Sequence, residues 1–285
     1  MSNTDAKKID LHSHTTASDG GLSPTDLVRR AASVGVGTLA ITDHDTVDGL
    51  PEAIQAAQER GLRVIPGVEF GIEMKGTEIH MLGYFLDTEN PALLAKLSEL
   101  REGRLHRGRR MVERLASLGL DISWERVDEI AAGSVGRPHI AKAMIERGHV
   151  ATIDEAFEKY LARGRPAYIP RAHLTMEECI ALIHQASGVA VLAHPTYVND
   201  LESVLPRLVE AGLDGIETYY GRYTQDTIAW IETLARKYSL LRTGGSDYHG
   251  LGEGSHADLG SVNVPPECLV ELEQRARDRK SGIRA

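Results

Sequence analysis

Seven short apolar segments, at 8–12, 37–42, 63–70, 79–85, 189–193, 215–219 and 240–244, punctuate this chain. Runs this short and this apolar read as buried strands. The stretches at 24–33, 50–60, 176–186, 201–211 and 225–238 carry apolar residues at helical spacing, often with Gly or Pro at their ends, and read as helices. The resulting β-α-β-α order predicts an α/β barrel, and 285 residues is an ordinary length for one such unit.

The alternation is interrupted once. Between residues 91 and 171 lie helix-like pieces at 92–118, 124–132, 138–147 and 153–161, with no strand among them. The prediction is a barrel made of residues 1–90 and 172–285, an all-helical insertion at 91–171, and a short final helix at 266–279. No internal repeat, low-complexity tract or long linker is seen, so the insertion is expected to pack over the barrel as a cap.

Bulk properties narrow the class. A chain with 42% hydrophobic and 26% charged residues and a mean hydropathy of −0.23 is neither disordered nor membrane-embedded in type. The polar first eight residues offer no signal-peptide core, so the expected location is cytoplasmic. Cys179 and Cys268 stand far apart, which suits neither a disulfide framework nor a zinc knuckle. A net charge of −9 argues against an extended nucleic-acid surface, because such binding depends on neutralising many phosphates. Small anionic ligands remain open, provided that positive charge is gathered locally.

Histidines and carboxylates collect at or near the ends of the predicted strands. Asp10-Leu-His12-Ser-His14 with Asp19 follows the first, and Thr42-Asp43-His44-Asp45 closes the second. Gly67-Val-Glu69 closes the third, His80 follows in Glu78-Ile-His80, His194 in Ala193-His194-Pro195, and Asp247 and His249 in Gly245-Ser-Asp247-Tyr-His249. Taken singly, His80 reads equally as a core histidine, Asp19 as a turn former and Asp45 as a helix cap. For Asp45 the cap reading is preferred. For the others together the barrel gives a reason to converge, since its strand ends meet on one face. Imidazole and carboxylate together are ligands for borderline divalent cations.

The H-x-H pair with its downstream Asp, T-D-H-D, G-V-E, A-H-P and G-S-D-x-H resemble the motifs of the PHP (polymerase and histidinol phosphatase) family, and the resemblance covers nearly the whole chain. It implies a distorted (βα)7 variation on the TIM barrel and three divalent cations, Mn²⁺ first, with Zn²⁺ or Fe²⁺ as alternatives. His12, His14, Glu69 and Asp247 would surround one ion, and Glu69, His80 and His194 a second, with the glutamate bridging. Asp19, His44 and His249 would hold the third. Glu69, His194, Asp247 and His249 would be catalytic, and Asp19 and His44 would also face substrate. In such centres the cations lower the pKa of a bound water and neutralise phosphate charge.

The insertion carries the substrate expectation. Arg101, Arg104, Arg107, Arg109 and Arg110 crowd one predicted helix, and Gly136-Arg137-Pro138-His139 opens another. Arginine forks match phosphate oxygens, and a helix start with Pro leaves free N–H groups. For Arg107, Arg109 and Arg110 a solvated helix face is an equal reading. The G-R-P-H segment resembles one in the nucleotide-hydrolysing PHP subfamily, which implies substrate-binding roles for Arg137 and His139; Arg101 and Arg104 of the basic helix are the next candidates for substrate binding. That subfamily removes phosphate from nucleoside 3',5'-bisphosphates, and some relatives degrade short 5'-phosphorylated RNA in the 5'-3' direction. Tyr219, Tyr220, Tyr223 and Tyr248 are candidates for base stacking, and equally for core aromatics. The alternatives are a histidinol-phosphate phosphatase, a polymerase-associated proofreading module, an amidohydrolase, or a non-catalytic PHP interaction module. His106, His149, His173, His184 and His256 receive no role beyond surface or core.

Overall fold

The computed structural model describes residues 7–74, 77–131, 134–170, 174–250 and 257–282. Residues 132 and 171, expected to end a helix and the insertion, lie outside them, as do His173 and His256. The strands β1 (Lys8–Asp10), β2 (Val36–Ile41), β3 (Arg63–Met74), β4 (Thr77–Tyr84), β5 (Val189–Leu192), β6 (Gly215–Tyr220) and β7 (Leu241–Gly245) form one sheet in chain order. The N–H of Leu11 donates to Gly244 O at 3.1 Å, and Ser13 bridges to Tyr248, so the last strand returns to the first and the sheet closes. Closure needs a glycine at 245, where a Cβ would lie 2.4 Å from the His12 nitrogen.

The sheet is not parallel throughout. β4 runs antiparallel to both β3 and β5. Only residues 75 and 76 separate β3 from β4, and a parallel return needs a crossover of a dozen residues or more. The reversal changes where His80 belongs. It lies inside β4, opposite Gly71 of β3, rather than at a strand's finish. Because β4 points the other way, its first half reaches the face where the parallel strands end.

Helices α1 (Pro24–Ser33) and α2 (Leu50–Gln58) pack outside the sheet, and α3 (Pro91–Ser117), α4 (Trp124–Ala131), α5 (Arg137–Glu146) and α6 (Ile153–Ala156) form the helical segment. The expected helix at 153–161 is split, because α6 widens into a π-helical turn at Phe157–Leu161. Helices α7 (Met176–Gln185), α8 (Leu201–Glu210), α9 (Gln225–Lys237) and α10 (Pro266–Lys280) complete the chain. No helix among the described residues is long and apolar enough to cross a membrane.

The long helix α3, roughly 40 Å at 1.5 Å per residue, joins two cores. Its start is capped by Asn90, whose side chain accepts from the N–H groups of Ala92 and Leu93. Leu93, Leu97 and Leu100 belong to the cluster between sheet and outer helices, whereas Met111, Val112 and Leu115 belong to a separate cluster with Val127, Ile140, Met144 and Leu161. Arg104 and Arg107 are buried where the helix passes from one to the other.

The final helix is locked by a buried acid. Asp214, 2% exposed, accepts from the Ala190 N–H at 2.9 Å, from His184 Nε2 at 2.9 Å, and from Arg275 and Arg279 at 2.7 and 2.6 Å. His184 thus has a structural partner. Burial works against the Asp214 charge, but His184, the Ala190 amide and Arg279 outweigh it and lower its pKa below the usual value. With a depressed folded pKa, its contribution is complete above the ordinary carboxylate range and is lost as pH falls through the folded value. Asp214→Asn is expected to cost about 2 kcal/mol at pH 7 in urea unfolding, less than for a fully buried pair because the arginines keep some solvent. The gap from wild type should narrow below about pH 4.

Candidate metal centre

Beyond β1 the chain stays extended, so His12 and His14 project to one side and Ser13 to the other, where Ser13 Oγ donates to Ala40 O at 2.6 Å. Asp10 holds this segment: its Oδ1 accepts from the Ser246 N–H and its Oδ2 from the Gly260 N–H, both at 2.9 Å. Asp43, buried, accepts from the Thr15 N–H and hydroxyl at 2.7 Å and from Ser18 Oγ at 2.6 Å. These bonds fold the 15–20 loop back over the barrel mouth and bring Asp19 inward. The turn admits only glycine at 20, since a Cβ there would lie 2.5 Å from His14 O.

All nine predicted metal-ligating residues meet at this mouth. His12, His14, Glu69 and Asp247 form one group whose ligand atoms lie within 4.8 Å of one another, and His14, Asp19, His44 and His249 form another. A third consists of His44, Glu69 and His80. His194 adjoins it, with Nε2 3.1 Å from Glu69 Oε1 and 3.2 Å from His80 Nδ1. His14 and His44 are therefore shared more widely than the motif-by-motif assignment implies.

The donors suit a cation. Nε2 of His12 and of His14 and Nδ1 of His44 are buried without a hydrogen-bond partner among the described residues, although each lies within 3.4 Å of a carboxylate oxygen. The far nitrogens are engaged where that fixes the tautomer. His249 Nδ1 donates to Asp247 O at 2.9 Å, which leaves Nε2 facing Asp19 at 3.3 Å.

The electrostatics call for positive charge. Burial presses His12 toward neutrality, but the Asp247, Glu217 and Glu69 carboxylates outweigh it and raise its pKa well above the usual value. His14 is pushed up to about 10 by the same balance of burial against Asp247 and Glu69. Despite burial, Asp19 and Glu69 are held well below the carboxylate range by the imidazoles around them. A proton on His12 or His14 would compete with a divalent ion for the same nitrogens, so metal binding and proton release are linked.

A cleft of about 320 Å³ runs from Asp19, Glu69, His194 and Asp247 to Arg104, Arg107, Arg137 and Phe157 on the helical segment. Gly136 brings the segment against the centre, for a Cβ added there would lie 3.6 Å from Asp19 Oδ2. The Arg137 guanidinium lies 5.3 Å over the Phe157 ring, on the π-helical turn. Arg107 is buried, donating from Nε to Ile169 O at 2.8 Å and lying over Tyr168, whereas Arg109 and Arg110 are exposed. His139 is buried, and burial pushes it down to about 4. Its Nδ1 accepts from the Gly136 N–H at 3.0 Å, which shapes the turn that presents Arg137.

Two expectations change. Asp45 does not cap α2, whose N-cap is Gly49. It is fully buried in a left-handed conformation (φ 54°) and accepts from Arg104 Nε at 2.6 Å. Arg104 is therefore tied to the residue following His44. Arg101 lies outside the cleft, paired with Asp48 beside a different cavity. Of the tyrosines, Tyr220 lines the cleft and its hydroxyl donates to Asp247 Oδ2 at 2.9 Å. Tyr219 instead turns to Glu232, Tyr223 bonds Thr196, and Tyr248 packs against the outer core. Sequence reasoning missed Tyr197, half exposed with its ring 5.0 Å from that of His194, and Glu217, fully buried beside His12. Glu217 did leave a signal, since it is an acid inside a short run that reads as a buried strand.

Comparison with known proteins agrees with this geometry. A 5'-3' exoribonuclease of Salmonella typhimurium is 41% identical over 247 residues, covering 84% of each chain. A 3',5'-nucleoside bisphosphate phosphatase of Chromobacterium violaceum is 35% identical over 94% of this chain and 97% of that one. The solved structure of a metal-dependent phosphoesterase from Bifidobacterium adolescentis superposes with a TM-score of 0.86 at 33% identity, covering 95% of this chain and 96% of the other. The PHP domain model matches residues 10–187, more than half of the sequence, and the chain belongs to the PHP domain family.

Proposed function

We propose that this chain is a trinuclear metal-dependent phosphoesterase acting on nucleotides with two phosphates, a nucleoside 3',5'-bisphosphate or a short 5'-phosphorylated RNA, with Mn²⁺ as the working cation. The observation that carries the reading is the continuity of one cleft from the carboxylate–imidazole groups to Arg107 and Arg137. A smaller phosphomonoester such as histidinol phosphate would have no use for the arginine end. The relatives bearing nucleotide-directed names match along at least 84% of this chain, including its helical segment, and favour the same reading.

Three groups of donors that share Glu69, His14 and His44 support a count of three ions. Divalent cations there would supply a Lewis acid for the phosphoryl oxygens and an activated water. The protein's own part is positional. Glu69, His194, Asp247 and His249 form the catalytic wall, and Asp19 and His44 stand between it and the helical segment at 91–171, which serves as a substrate-binding cap. Arg137, placed by His139, and Arg107 hold the phosphate that does not react. Arg104, already paired with Asp45, adds positive potential and Arg101 takes no part. Guanidinium forks bind such a group in pairs of charge-assisted hydrogen bonds.

Metal analysis of gently purified protein is expected to approach three ions per chain, and full activity with a single ion would overturn the trinuclear reading. Arg137→Ala should lower kcat/KM for a bisphosphate roughly 10- to 100-fold, as expected for a lost charge-assisted hydrogen bond or two. A small artificial phosphoester should be nearly unaffected, and equal losses on both would remove Arg137 from phosphate binding. The direct test is Mn²⁺-supplemented hydrolysis of adenosine 3',5'-bisphosphate, histidinol phosphate and a short 5'-phosphorylated RNA side by side. Preference for either nucleotide supports the proposal, and preference for histidinol phosphate refutes it.

A further inference from the structure

Among the described residues, none of the three donor groups draws a ligand from β6. Yet two of its side chains point into the centre. Glu217 is 0% exposed, and each of its carboxylate oxygens meets a different ligand residue. Oε1 accepts from His12 Nδ1 at 2.9 Å, and Oε2 accepts from the backbone N–H of His194 at 2.7 Å. Tyr220 donates to Asp247 through the oxygen opposite the one that faces His12 and His14.

This arrangement needs an irregular strand. Side chains alternate along a regular strand, so 217 and 220 would face opposite sides. The pairing of β6 with β7 shifts register between Glu217 and Tyr219, and that bulge restores Tyr220 to the inner face while Tyr219 turns outward to Glu232. His194 also needs support, because it occupies positive φ (25°) without being glycine. The bond from its N–H to Glu217 holds that conformation.

We propose that β6 is the ligand-orienting strand of the centre, with Glu217 as a positioning residue for two ions that it does not itself bind. A carboxylate at Nδ1 keeps the His12 proton on that nitrogen and leaves Nε2 for the cation. The same carboxylate sets the backbone from which His194 projects, and Tyr220 sets Asp247. The proposal rests on the metal-centre reading above.

Glutamine at 217 preserves shape but cannot satisfy both donors. If its oxygen stays on His12, its NH₂ confronts the His194 N–H. If it flips, NH₂ donates to His12 Nδ1 and favours the tautomer with the proton on Nε2, the ligand atom. Calorimetric titration of the metal-stripped full chain with Mn²⁺ tests this, alongside melting in chelator. Glu217→Gln is expected to weaken two of the ions about 10- to 100-fold, the range typical of lost outer-shell partners, with the chelated protein still melting cooperatively. Tyr220→Phe should weaken one. If Glu217→Gln fails to fold, Glu217→Asp, one methylene shorter, should still weaken at least one ion. Folded variants that bind Mn²⁺ like wild type would overturn the proposal while leaving the metal centre standing, whereas a wild-type chain that binds no Mn²⁺ would overturn the reading beneath it.

Discussion

Glu69 is buried, and the imidazoles of His12, His14, His44, His80 and His194 all lie within 3.4 Å of its two oxygens. A carboxylate removed from water costs several kcal/mol unless positive charge surrounds it. No single element could provide that many partners. They come from the segment after β1, the ends of β2 and β5, and the interior of β4, so the charge at Glu69 is sustained only when the whole barrel is closed. The reversed direction of β4 serves the same end, because a parallel strand would carry His80 elsewhere. The barrel and the centre are thus one cooperative arrangement.

The candidate donor side chains are held from behind by further acids. Asp10 gathers the backbone of β1 and of the segment after β7, and Asp43 gathers the loop that carries Asp19. Both carboxyls are fully buried, and burial raises their pKa values despite these hydrogen bonds. Asp45, His194 and Asp247 adopt positive φ without being glycine. Strain of this sort costs about 1–3 kcal/mol per residue and persists where surroundings over-determine it, commonly at functional sites. Here it gathers beside the carboxylates, where an unstrained backbone would turn the donor side chains away.

Much of this could be read from residue order, and the failures have physical causes. The strands were visible as short apolar runs, and the histidines and acids stood out because polar residues at the ends of buried strands need a reason. The direction of β4 was not legible because periodicity carries no sense of direction, and the runs at 63–70 and 79–85 leave 71–78 between them where the strands themselves leave only 75 and 76. Asp45 was misread because a carboxylate before a helix usually caps it, and its actual partner, Arg104, lies in another part of the chain. Arg101 and Arg104 are three residues apart on one helix face and looked equivalent, but α3 delivers one into the cleft and the other to Asp48. Glu217 was overlooked because its partners are a ring nitrogen and a backbone amide, neither of which leaves a motif.

The contact between Arg104 and Asp45 joins the two halves of the molecule. Arg104 sits where α3 leaves the barrel core for the core of the helical segment, and Asp45 directly follows His44, which faces both Glu69 and Asp19. Both charges are buried, so separating them would leave an uncompensated charge on each side, a loss larger than any exposed pair could cause. Any shift of α3 against the barrel must therefore break this bond or drag the His44 backbone with it. Arg107 and Arg137 reach the cleft from the helical side, so the Arg104–Asp45 pair, together with the bond from the Ser134 N–H to Ala17 O and the packing of Leu93, Leu97 and Leu100, fixes the helical segment against the donor groups.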